Sequence, residues 1–535
     1  MLKKLWPAVS NHSENSNIDS RLKRVIRGNS NEKGWRSLQL VEGEAIEGAS
    51  PSTGAESLLS LIHISDLHIC DAQSPSRLEL LDRLADPHNP MSEIIKLVGT
   101  YRPNEMLTTQ TLESMVQTIN RIEHGIVTTR PIDAVVVTGD VTDNAQGNEL
   151  DWYFTLMDGG ELQPDSGDTT KWEGLSTSDP SKYDPSYWNP EGTPPGCADD
   201  FPRSLYGFPV VPGLLDAVRK GFMATGIRHK WFATHGNHDA LIQGTLPGDD
   251  FVREHTVGSK KQIALAPDTD LSELFSNFNQ VGPATYPDPQ GAKYQDITAD
   301  PRRRINEPDT WAKVHQLCDH DHGLNQENSL RGTKFWYRDI NGVRLVSLDT
   351  VNHHGGWQGS LDEAQFNWLK KVLDDPKPDF FVILSHHPSS TLFNLYQPEG
   401  ADRRVGETEV VDLLIEEPRV ILWLAGHNHQ HKIERYGDEF TGFWHIQTAS
   451  NIDWPQQGRL VEILKDGEKL VIATSVFDHQ SPLSHDDATS NLASPVNLAG
   501  LSRLLAANDW QRRSGEFDIE NLAGERDDRN RFLWL

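Results

Sequence analysis

Five short clusters of Asp, His and Asn recur along this chain, each at the end of an apolar run. They are Asp66 and His68 in "LLSLIHISDLHICD", Asp140 and Asp143 in "IDAVVVTGDVTDN", Asn237, His238 and Asp239 in "HKWFATHGNHD", His386 and His387 in "DFFVILSHHPSS", and His427 and His429 in "RVILWLAGHNHQ". Carboxylates gathered alone would repel one another, and bare imidazoles gain nothing from desolvation. Divalent cations resolve that conflict. Mixed carboxylate, imidazole and amide donors suit Mn, Fe, Zn or Ni better than Mg or Ca, which prefer oxygen alone. The donors outnumber the positions around one ion, so they imply two ions sharing a bridging carboxylate. Taken singly, "DLH" or "GDVTD" is more often a capped turn than a ligand pair. "GHNH" is stronger, because alternation at a strand end aims both histidines the same way. All five in order make coincidence improbable.

The elements that must position these clusters are strands and helices in alternation. Runs of Leu, Ile and Val bounded by polar residues read as buried strands. Between them, Leu107 to Glu123, Leu361 to Leu373 and Glu407 to Glu416 have helical period, giving an α/β chain. In open α/β sheets functional groups collect outside the carboxyl ends of strands, where all five clusters fall. Two stretches, about 159–213 and 241–331, interrupt the rhythm with Pro, Gly, Ser and Asp and read as insertions beside the site. Residues 1–56 read as a polar, poorly ordered arm, 57–480 as the main domain, and 481–535 as an extension with a helical patch at Leu498 to Ala507.

Bulk composition narrows the partners. A formal net charge of −28 repels polyanions, which disfavours nucleic acid and anionic membranes. Cys70, Cys197 and Cys318 are an odd count at no metal-site spacing, so no disulfide framework is expected. The N-terminal "MLKKLWPAVSNHSENSN" lacks the apolar run of a signal peptide, no later stretch approaches the length of a membrane span, and the expected location is the cytoplasm. The sequence places His235 next to the site without a role and leaves His322, His353 and His354 open between surface-loop residues and a lining of the substrate cleft. It reads Arg302 to Arg304 and "CDHDHG" as solvated loops and Asp71 as a loop residue.

The five motifs "DLH", "GDVTD", "GNHD", "HHP" and "GHNH" resemble those of the calcineurin-like metallophosphoesterases, across Asp66 to His429. "GSLDEAQFNWL" is also typical of the superfamily. "SDLHICDAQSPSRLELLDRLADP", "VVPGLLDAVRKGF" and "TASNIDWPQQGRLVEI" resemble a less characterised bacterial branch. The resemblance implies a sandwich of two mixed β-sheets flanked by helices, and two divalent transition-metal ions. Asp66, His68 and His429 would hold the first ion, Asn237, His386 and His427 the second, and Asp140 would bridge. His387 would then be a packed neighbour. Asp143 stands where the purple acid phosphatase branch has Tyr, so no tyrosinate colour is expected; it is paired instead with His238, the expected proton donor, and Asp239 is expected to brace the turn. The implied activity is hydrolysis of a small phosphomonoester or phosphodiester by direct attack of a bridging hydroxide. The rival readings are a catalytically weak metal-binding scaffold and a nuclease of the same fold.

Overall fold

The computed structural model describes residues 21–177, 179–287, 290–317, 320–438, 441–512 and 518–535. Cys318 and Asp319 of "CDHDHG" and the first 20 residues of the arm lie outside them. The two remaining cysteines are unpaired.

Two six-stranded mixed sheets form the centre. The strands are β1 (Glu56–Ile64), β2 (Ala134–Val137), β3 (Trp231–Ala233), β4 (Trp336–Ile340), β5 (Val343–Ser347), β6 (Phe380–Leu384), β7 (Val420–Ala425), β8 (Lys432–Gly437), β9 (Gly442–Gln447), β10 (Gln457–Asp466), β11 (Lys469–Asp478) and β12 (Arg531–Trp534). One sheet runs β12-β11-β10-β1-β2-β3 and the other β4-β5-β6-β7-β9-β8. The site-bearing strands are parallel neighbours, β1 with β2 and β2 with β3 in one sheet, β6 with β7 in the other. Their apolar runs are buried because parallel inner strands are covered on both faces.

Side-chain alternation divides the core. Leu345, Val382, Leu384, Leu422 and Leu424 of the second sheet join Leu61, Val136 and Phe232 of the first in the sandwich interior. Val346, Phe381, Ile383 and Trp423 face outward against Phe366 and Leu369 of α3 (Glu363–Leu373) and Val410 and Leu414 of α4 (Glu407–Glu416). The period of 2 in the strands thus meets the period near 3.6 in the helices. Leu112, Met115 and Val116 of α1 (Thr108–Ile119) pack on the first sheet's core, beside α2 (Gly147–Asp158).

The flanking segments are more ordered than their composition implies. The arm's residues from 23 form a hairpin, Lys23–Ser30 with Arg36–Glu42, whose Val25 and Leu38 are buried. Arg36 is clamped by Asn508 through main-chain bonds of 2.7 and 2.9 Å, so this part is docked rather than loose. The 159–213 insertion buries Tyr187, Trp188 and Phe208 against Leu501 of α5 (Pro495–Ala506) and against Trp510 in the turn beyond it. The 241–331 insertion carries the helices Asp250–Val257, Leu271–Asn279, Thr310–Leu317 and Gln326–Arg331 and a strand pair. Among the described residues no helix is long and apolar enough to cross a membrane.

Candidate metal centre

Register brings the five clusters to one edge. Ile64 pairs with Val137 and Val137 with Ala233, so β1, β2 and β3 end level; Leu384 pairs with Leu424 opposite. The turns that follow are strained. Asp66 (φ 52°), His68 (45°), Asp140 (49°), His427 (69°) and His429 (55°) all lie in the left-handed region, where side chains other than glycine are uncommon. Such conformations persist where the surrounding structure fixes them and concentrate at functional sites. Two glycines make room. A Cβ on Gly139 would lie 2.7 Å from His386 Nδ1, and one on Gly244 would collide with Asn237 Nδ2 and His238 Nε2.

The donors form two groups around Asp140. On one side, His429 Nε2 is 3.3 Å from Asp66 Oδ1, and His68 Nε2 is 3.6 Å from Asp140 Oδ2. On the other, His386 Nε2 is 3.2 Å from both Asp140 Oδ2 and His427 Nδ1. The outer hydrogen bonds test whether a cation fits. His68 Nδ1 donates to Asp143 Oδ1 (3.0 Å) and His429 Nδ1 to Asp453 Oδ2 (2.6 Å), since a carboxylate only accepts. In the neutral tautomers both Nε2 lone pairs then face each other, 3.2 Å apart. His386 Nδ1 likewise donates to Thr138 O (2.8 Å), leaving its Nε2 lone pair toward the Asp140 carboxylate. Asn237 donates its Nδ2 to Gly244 O, while its buried Oδ1 has no hydrogen-bond partner. Bare nitrogens, an orphaned amide oxygen and two carboxylates converging in a buried space fit divalent cations and little else.

Electrostatics agree. Burial opposes charge on His386, yet Asp140 and Asp66 lift its imidazole to about 9. Burial would raise the Asp140 carboxyl, but His386 and His238 hold it well below the usual carboxylate range. The raised imidazoles of His386 and His429 would balance these carboxylates as cations, and divalent ions would take the place of their protons.

The expected pairing of Asp143 with His238 is corrected in one respect. His238 Nδ1 donates to the main-chain carbonyl of Asp143 (2.6 Å), whereas the Asp143 carboxylate serves His68 and Arg77. The turn after β2 places that carbonyl toward His238 and the side chain toward β1. Burial brings the His238 imidazole down to about 4, against the pull of Asp140. Asp239 accepts from the amides of Val141, Thr142 and Gly236, bracing the turn. His387 is committed to Thr350 Oγ1 (2.8 Å) and Trp357 O (2.9 Å), so neither nitrogen is free to ligate.

Other sequence readings change. Asp71 is buried and ion-paired with Arg303 at 3.1 Å, so neither is a solvated loop residue. His322 of "CDHDHG" is buried and stacked on Trp231, 3.5 Å between ring centroids. The residues that sequence reasoning missed are the outer supports. Asp453 is gripped by Arg102 (2.6 Å) and Arg512 (3.3 Å), and Arg77 also reaches Glu105 and Glu79.

Residues 210–431 match the family model described as calcineurin-like phosphoesterase, a span holding Asn237, His386, His427 and His429 but not Asp66, His68 or Asp140. Over 108 residues, 19% of this chain and 29% of the relative, the chain is 29% identical to the manganese-dependent ADP-ribose/CDP-alcohol diphosphatase of Xenopus tropicalis. The Xenopus laevis protein of that name is 27% identical over 108 residues. The chain thus spans under a third of these curated relatives. Among solved structures, a dimetal phosphatase from Danio rerio aligns with a TM-score of 0.33 and 14% identity over 79% of this chain and 97% of that one. The calcineurin-like phosphoesterase YfkN from Bacillus subtilis aligns at 0.26 and 10%, covering 84% and 99%.

Proposed function

Starting from the premise that the chain belongs to the calcineurin-like phosphoesterases, we propose that it hydrolyses a small phosphoric ester with two divalent transition-metal ions. Asp66, His68 and His429 hold one ion, Asn237, His386 and His427 the other, and Asp140 both. The observation that carries this reading is the inward convergence of imidazole nitrogens whose outer nitrogens are already committed. Two such ions supply Lewis acidity, drawing charge from phosphoryl oxygens and making water a nucleophile near neutral pH.

The chain's own residues do the rest. Asp143 and Asp453 fix the tautomer and orientation of His68 and His429 and raise their basicity. The Asp143 carbonyl keeps the proton of His238 on Nδ1, which makes Nε2 the atom that exchanges a proton with the leaving oxygen. Burial keeps the free imidazole neutral at pH 7 with Nε2 unprotonated. An anionic phosphoryl group beside it offsets that burial, so Nε2 takes up a proton from water as the substrate binds and passes it to the leaving oxygen. The buried setting of the donors keeps bulk water from competing with these contacts.

The partial likeness to ADP-ribose/CDP-alcohol diphosphatases makes small diphosphate esters the first substrates to try, beside monoesters and diesters. The experiment is a panel assay on protein stripped by chelation and reloaded with Mn, Zn, Fe or Ni. Activity should vanish on stripping and return on reloading. Full activity after exhaustive stripping rejects the proposal.

A further inference from the structure

A second set of donor side chains stands beside the candidate centre and takes no part in it. His235 follows β3, and Asp349 and His353 share the loop after β5, so the three come together across the two sheets. Asp349 Oδ1 is 3.1 Å from His235 Nδ1, and its Oδ2 is 3.3 Å from His353 Nε2. One donor atom from each residue lies within 4.8 Å of the other two.

The Asp349 carboxylate lies between the two imidazoles with one oxygen toward each, so a shared ion has to draw in one donor atom per residue from within 4.8 Å. A tetrahedral ion with bonds of about 2.0 to 2.1 Å keeps its ligand atoms about 3.3 to 3.4 Å apart, and two imidazoles with one carboxylate leave a fourth position open. The backbone on both sides is fixed. Gln365 holds the main chain of Asp349 through its Oε1 (2.8 Å) and Nε2 (2.7 Å), and the buried His235 ring packs on Trp311 at 5.2 Å between centroids. His353, with a side chain 37% exposed, leaves a path from solvent. One contact acts in opposition. Lys334 Nζ lies 3.9 Å from Asp349 Oδ2, though it is anchored on Gly332 O at 3.2 Å. Its positive charge weakens cation binding and sets this site below a carboxylate-rich one in affinity.

We propose that His235, Asp349 and His353 bind a further divalent transition-metal ion, of the zinc or manganese class, independently of the two-ion centre. None of the three shares a hydrogen bond with the donors grouped around Asp140.

The test is equilibrium dialysis of the full chain against graded zinc, with bound metal counted by mass spectrometry. Wild type should saturate one ion per chain above both His353→Gln and Asp349→Asn. His353 is partly exposed, so its replacement does not put folding at stake. If the two-ion reading fails, the totals fall but the difference of one persists. Equal saturation of wild type and His353→Gln overturns the proposal.

Discussion

His68 and His429 each rest their outer nitrogen on a carboxylate, whereas His386 rests on the neutral carbonyl of Thr138 and His427 faces the Trp357 ring at 5.9 Å. The two halves of the candidate centre use the same donor types but differ in what stands behind them. A carboxylate behind an imidazole raises its basicity and fixes its ring, which strengthens it as a ligand. Those carboxylates are themselves held, Asp143 by Arg77 and Asp453 by Arg102 and Arg512. The account therefore predicts unequal halves, with the His386/His427 side losing its ion first to a weak chelator.

The largest effect belongs to the residue common to both halves. Asp140→Asn should remove both ions at limiting metal and reduce hydrolysis to background, while Asp66→Asn should keep the ion on the His386 side. Metal counts on the same samples decide. Equal losses in the two variants would break the bridging assignment.

His238 comes next because it touches neither half as a required ligand. His238→Ala should keep both ions yet lose roughly 10²- to 10⁴-fold on an alkyl ester, and far less on 4-nitrophenyl esters, whose leaving group needs no proton. Uniform slowing across esters of graded leaving-group basicity would assign His238 to charge stabilisation instead.

The carboxylate supports sharpen the comparison most. Asp453→Asn and Asp143→Asn should each weaken one ion by roughly 10- to 100-fold and leave the other unchanged, read by competition with a chelator. Asp143→Asn should also leave the leaving-group dependence of wild type intact, because the main chain, not the carboxylate, holds His238. A changed dependence would restore a side-chain role for Asp143 in proton transfer.

The smallest effect lies away from the centre. Burial, with Asp86 and Asp509 adding to it, pushes the carboxyl of Asp82 from 3.8 up to about 8. Burial likewise takes Asp86 to about 7 despite bonds from Trp510 and Gln511. Folding thus favours the protonated forms. Their stabilisation is complete below the unfolded value of 3.8 and is lost as pH rises through about 7 to 8. Melting temperature should fall between pH 6 and pH 8.5, and fall less in Asp82→Asn, whose amide oxygen still accepts from Thr100 and Tyr101. A difference unchanged in Asp82→Asn would place the titration elsewhere.

What could be read from the sequence follows from where the signal lies. The five clusters each end an apolar run, a pattern local enough to see without a structure, and α3 and α4 follow from their periodic faces. Leu361–Asp362 forms a short strand before α3, a boundary that periodicity alone does not set. Asp453 carried a fainter form of the same signal. It lies six residues past β9, "GFWHIQ", a shorter and more polar run than the others. Arg77, Arg102 and Arg512 had no such signal, since an arginine reveals its partner only once the fold brings them together. Asp71 and Arg303, 232 residues apart, are the same case. The insertions hid their helices because Pro and Gly density masks short amphipathic segments.

The central claim is that the five strand ends make one centre of two ions bridged by Asp140. Anomalous diffraction from crystals of the manganese- or zinc-loaded protein, collected at the metal edge, tests it directly. The account predicts two peaks flanking the Asp140 carboxylate, one among Asp66, His68 and His429 and the other among Asn237, His386 and His427. A single peak there, or none at full metal loading, would contradict it.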